Sequence, residues 1–128
     1  MAKKVLQIIE TAYRATLEEQ DDPVVWITHA MKGAGADLHV LLRGAAVNYA
    51  VKGQDASGLS FGARQQTQPP RLDDDVAKLV GKGVEVFLVQ EDVAERGLEG
   101  SDLISGIKPI PRASVPKLLG GYDQVWHW

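Results

Sequence analysis

The chain has 128 residues, 45% of them hydrophobic, a formal net charge of −3 and no cysteine. That length fits a single domain, residues 1–128, with a substantial core, and the missing cysteines exclude disulfides, thiolate metal sites and a cysteine nucleophile. Lysines and arginines are scattered rather than striped, which argues against nucleic acid. No apolar run approaches the roughly 18 residues of a membrane span, and Met1-Ala2-Lys3-Lys4 does not lead into a signal-peptide core, so a cytoplasmic protein without membrane contact is expected.

Val5, Leu6, Ile8 and Ile9 form an apolar run too continuous for a strand with one wet face, which predicts a strand covered on both sides. Asp22 before Pro23 reads as an N-cap followed by proline at the first helical position. It opens a helix through Trp26 and Met31 that Gly33 or Gly35 stops. The buried-strand pattern returns from Leu38 to Leu42. Val47, Ala50 and Val51 then take the i, i+3, i+4 spacing of a helix with one apolar face.

From Lys52 to Arg71 the chain carries Gly, Ser, Gln and a Pro-Pro pair, with Leu59 and Phe61 its only large apolar residues. A loop this long is functional, buried at a subunit contact, or mobile. Helical spacing resumes at Val76, Leu79 and Val80, where Asp73, Asp74 and Asp75 in the first turn and Lys78 and Lys82 later match the helix dipole. Val84 to Val89 is the next strand. Ile107 to Ile110 is a weaker one that Pro109 and Pro111 push to a sheet edge. Val115, Leu118 and Leu119 mark a last helix, and Val125-Trp126 a closing strand. This alternation predicts βαβ crossovers: a three-layer α/β/α sandwich around a mainly parallel five-stranded sheet, Rossmann-like in kind.

Ligands of parallel sheets sit beyond the carboxyl ends of the strands. Those ends carry Glu10 and Thr11, then Arg43 and Gly44, then Gln90, Glu91 and Asp92, then Arg112, and last His127. Solvated loop ends explain such residues as well as a site does, and Glu91 and Asp92 also read as caps of the following helix. Glu10 with Glu91 would suit acid–base work if neighbouring strands brought them together. His29, His39 and His127 lack ligand-like spacing, so no metal is expected. No glycine-rich phosphate loop follows a strand, and neither Ser57 nor Ser60 sits on a strand-to-helix elbow, so neither a nucleotide cofactor nor a serine hydrolase is indicated. Trp26, Trp126 and Trp128 read as packing residues, with Trp126 and His127 on opposite faces of their strand.

The opening Lys4-Val5-Leu6-Gln7-Ile8-Ile9-Glu10 strand, the Gly33-Ala34-Gly35 helix end before Asp37, the Lys82-Gly83-Val84-Glu85-Val86 strand leading to Arg96-Gly97, and the ending Tyr122-Asp123-Gln124-Val125-Trp126 stand in an order and spacing that resemble the DsrE-like family. The resemblance covers nearly the whole chain. It implies a Rossmann-like sandwich, a homo-oligomer (trimer or hexamer), and a link to sulfur relay, in which some members pass sulfane sulfur as a cysteine persulfide. That cysteine lies just after the third strand. Aligned on Arg96-Gly97 it falls at Val89 or Gln90, and a second cysteine of some relatives falls near Asp92.

A persulfide needs a sulfur nucleophile, so the absent cysteines exclude persulfide sulfurtransferase activity for this chain alone. What the resemblance leaves is the scaffold, a pocket beside the third strand and a tendency to oligomerise. The expectation is a non-enzymatic protein, without cofactor, that binds a protein partner or small ligand as an accessory to sulfur metabolism. The Lys52 to Pro70 loop, with Asn48, Tyr49 and Arg64, would line a subunit contact or cover the pocket at Gln90. Two alternatives stay open. One is an enzyme using Glu10, Arg43, Glu91 and His127; the other is a cysteine-free subunit of a mixed sulfur-relay complex.

Overall fold

The structure, a computed structural model, describes residues 3–13, 20–54 and 58–128. In chain order it contains β1 (Lys4–Ile9), α1 (Pro23–Gly33), β2 (Asp37–Leu42), a 3-10 helix (Gly44–Ala50), β3 (Ser60–Phe61), β4 (Arg64–Gln65), α2 (Leu72–Gly81), β5 (Val86–Val89), α3 (Gln90–Glu95), β6 (Lys108–Ile110), α4 (Val115–Leu119) and β7 (Gln124–His127). Five strands form one sheet in the order β6-β5-β2-β1-β7. Every pairing in it is parallel, so all five carboxyl ends gather at one rim. No helix among the described residues is long and apolar enough to cross a membrane.

Two-sided burial accounts for the continuous apolar runs. On one face Ile9, Val40, Leu42, Val86 and Leu88 pack against Val25, Tyr49, Val76 and Leu79 from the helical layer. On the other, Leu6, Ile8, Leu41 and Val89 pack against Val115 of α4. Each fully buried Leu, Ile or Val contributes about 1.5–3 kcal/mol relative to exposure. Pro109, which cannot donate to a ladder, sits in β6 at the sheet edge as the sequence requires.

The start of α1 follows its sequence signal. Asp22 Oδ1 accepts the N–H groups of Val24 (2.8 Å) and Val25 (3.1 Å), with Pro23 at the first helical position. Its other oxygen accepts the hydroxyl of the fully buried Tyr49, which in turn accepts the N–H of Tyr13. Burial, reinforced by the Asp22 bond, holds the Tyr49 phenol far above its ordinary range.

Three expectations need correction. Val47, Ala50 and Val51 do not share an α-helix: residues 44–50 wind as a 3-10 helix, and Val51 leaves it to bridge Leu103. Ala46, Val47, Tyr49 and Ala50 are all buried, because the segment packs between the sheet and the neighbouring helices. The Lys52 to Arg71 stretch is not only loop; it holds an antiparallel hairpin in which Ser60 pairs with Gln65 and Phe61 with Arg64, while residues 55–57 lie outside the described residues. The tryptophans are not core residues. Trp26 is 57% exposed because α1 turns Val25 and Thr28 inward, and Trp126 in the edge strand β7 and Trp128 just beyond it are also exposed. Trp128 still donates its indole N–H to the buried Gln7 at 2.7 Å.

Candidate functional site

Parallel strands bring two charged groups to the carboxyl rim. Glu10, at the end of β1, lies between its neighbours β2 and β7. One carboxylate oxygen is 3.0 Å from Arg43 Nε and the other 3.6 Å from His127 Nε2. Gly44 permits this approach: its φ is +57°, and a Cβ there would stand 3.2 Å from Glu10 Cγ.

The second group centres on Asp92, only 8% exposed. Its oxygens accept the Gly44 N–H at 2.8 Å and the Arg112 guanidinium at 2.6 Å. Burial pushes this carboxyl up, but the Gly44 bond and the Arg112 guanidinium outweigh it and hold the group below the usual carboxylate range. Glu91 accepts the Arg112 backbone N–H through both oxygens, at 2.8 and 3.1 Å.

These contacts settle where the candidate residues lie. Glu10 and Glu91 do not face each other, because β2 runs between β1 and β5 and Glu91 turns toward the chain leaving β6. Neither Glu91 nor Asp92 caps α3 with its side chain, although both occupy its first turn. Thr11 is exposed and donates its N–H to the Trp128 carbonyl at 3.2 Å. Asn48 donates its side-chain amide to the Ala45 carbonyl. Val89 is a core residue. The histidines sit apart: His29 meets Lys82, His39 meets Tyr122 and His127 meets Glu10.

Gln90 begins α3 and lines a cavity of about 180 Å³ with Leu88, Val93, Leu98, Leu103 and Pro109, completed by Ala94 and Gly100. Gln90, an exposed residue, is the one among these lining residues with a polar side chain. Ligand sites usually measure about 300–1,000 Å³, whereas a cavity of about 150 Å³ holds a benzene ring. At about 180 Å³ the Gln90 cavity, which opens to the surface, has room for no more than one ring or branched aliphatic side chain. Among the described residues, none of the Lys52 to Arg71 stretch lines it. Phe61 and Arg64 instead border a separate cavity of about 460 Å³ with Leu59 and Gln20.

Sequence reasoning missed the apolar walls, since Leu88, Leu98, Leu103 and Pro109 come from four segments joined only by the fold. It also missed a cluster at the opposite rim. There His39 Nδ1 and the Tyr122 hydroxyl are hydrogen-bonded at 2.8 Å, and burial first, then Glu85 and Asp37, push the Tyr122 phenol up to about 12. A third cavity, about 260 Å³, lies between α1 and α2 beside Trp26, His29 and Lys82.

No family model matches the chain, and no curated protein matches it either. Solved structures do. The ychN protein from E. coli superposes with a TM-score of 0.70 at 18% identity, covering 100% of both chains. BT1422 from Bacteroides thetaiotaomicron gives 0.67 at 15% identity over 98% of this chain and 95% of its own. MTH1491 from Methanobacterium thermoautotrophicum gives 0.60 at 16% identity over 98% and 99%. The latter two are described as proteins of unknown function. At these identities the likeness is one of fold, an α/β Rossmann-like arrangement matched over the full length.

Proposed function

We propose that this chain is a DsrE-like protein that acts by binding, taking an apolar group of side-chain size from a partner or small ligand into the cavity at Gln90. The observation that carries this reading is the position of the cavity: it opens beside the first residue after β5, the third strand of the main sheet in chain order, where the resemblance places a persulfide cysteine. Here that position offers an amide and apolar walls, which are suited to shape recognition and one hydrogen bond rather than to sulfur transfer. The shared fold and the motif resemblance support the kinship, and an accessory place in sulfur metabolism follows from it.

A second reading, acid–base chemistry at Glu10, is favoured by Arg43 and His127 both reaching that carboxylate. These side chains are between 36% and 54% exposed, so water already solvates the charges. That favours a paired surface rim over a catalytic pocket.

Toluene tests the binding reading as a probe of the right size. Titrated into ¹⁵N-labelled protein over a dilution series, it should give saturable shifts at the Gln90 side-chain amide and at Val93, Ala94 and Leu98. Ala94→Trp, which fills the cavity, should remove them while leaving the remaining spectrum folded. Absence of saturable shifts at every dilution, in wild type and in Phe61→Ala alike, would overturn the reading.

A further inference from the structure

Resting on that reading, we infer that the group seated in the Gln90 cavity is Phe61 from a second copy of this chain. Three observations point to it. The first is exposure: Phe61 is 70% exposed, more than any other large apolar side chain described, and every residue from Ser60 to Gln65 is exposed with it. It stands on a hairpin of two residues per strand, and such a pair is marginal in water without a third body to pack against.

The second is size. A phenyl ring needs little more room than the benzene held by a cavity of about 150 Å³, and the Gln90 cavity offers about 180 Å³ with apolar walls. Phe61 does not reach that cavity in its own copy, since it borders the other cavity beside Leu59 and Gln20.

The third is charge. Arg64 pairs directly across from Phe61, so the two side chains leave the hairpin together. Among the described residues, no ion pair includes Arg64. Beside the cavity stand two exposed glutamates: Glu95, next to Ala94, is already paired with Arg112 at 3.2 Å, whereas Glu99, between Leu98 and Gly100, accepts the Asp102 N–H and is in no ion pair among the described residues. A ring entering the cavity therefore brings Arg64 toward Glu99, the carboxylate of this rim that no other cation holds among the described residues. The contact joins two different patches, hairpin to cavity, so each copy gives one and receives one. If the rotation closes, the product is a ring in which every hairpin is seated.

The absence of cysteine gives a clean test. Chains carrying Phe61→Cys mixed with chains carrying Ala94→Cys should form an interchain disulfide under mild oxidation, well above a control pairing Phe61→Cys with Lys117→Cys on α4. In light scattering, Phe61→Ala should raise the dissociation constant of the assembly at least about 30-fold, with Phe61→Leu retaining most of the affinity. Arg64→Glu should weaken assembly and Glu99→Lys should partly restore it. No disulfide above the control, or an assembled mass unchanged by Phe61→Ala, would overturn the seating of Phe61. Toluene separates the two levels. Tighter toluene binding in Phe61→Ala than in wild type supports both. Equal binding with unchanged assembly removes only Phe61, and binding in neither removes the cavity reading itself.

Discussion

Asp92→Asn keeps the shape of the side chain and removes its charge, at a place where the carboxylate ties three segments together: the Gly44 N–H after β2, the Arg112 guanidinium after β6, and α3 itself. Hydrogen bonds to a charged partner contribute about 1.5–3 kcal/mol each. Arg112 is half-exposed and recovers water when released, and asparagine retains one acceptor. The expected loss at pH 7 is therefore about 2 kcal/mol. The carboxyl is held below its unfolded value of about 3.9, so its contribution is fully present above that value and is lost as pH falls through the lower folded one. Urea denaturation of wild type and Asp92→Asn should separate the midpoints at pH 7 and pH 5, and bring them together at the lowest pH where both still fold. A gap of the same size at every pH, or one below about 0.5 kcal/mol at pH 7, would refute the assignment of Asp92 as the charged tie of the rim.

Tyr49→Phe should cost about 1–3 kcal/mol in the same assay, because it strands an Asp22 oxygen and the Tyr13 N–H around a fully buried ring. No change would mean that water replaces the hydroxyl. Gly106→Ala should cost about 1–3 kcal/mol, since φ there is +87° and the added Cβ would lie 2.6 Å from Val80 Cγ1. Combining it with Val80→Ala should recover the clash but not the backbone strain, so full recovery would contradict the latter.

Much of the fold was legible because its strands are buried on both faces. Val5 to Ile9 and Leu38 to Leu42 read as unbroken apolar runs, and Asp22-Pro23 marked the start of α1 by a local hydrogen-bonding rule. Strand order was not legible. Placing β2 between β1 and β5 is a tertiary outcome, and it moved Glu10 toward Arg43 and His127 and away from Glu91. The 3-10 helix at 44–50 escaped because valine and alanine spacing fits either winding until burial on several sides decides. The hairpin escaped because strands of two residues, Ser60-Phe61 and Arg64-Gln65, have no periodicity to read. Gln90 was found from its place after a strand, while the walls around it depend on loops returning from Leu98, Leu103 and Pro109.

A crystal structure of the assembled protein, refined around Gln90, tests the central claim most directly. The expected density is an apolar group from another molecule inside the Leu88, Val93, Leu98 and Leu103 walls, within hydrogen-bond or van der Waals reach of the Gln90 amide. A cavity that is open to bulk solvent in every copy, or collapsed so that Leu98 fills it, would contradict the claim that this chain works by binding there.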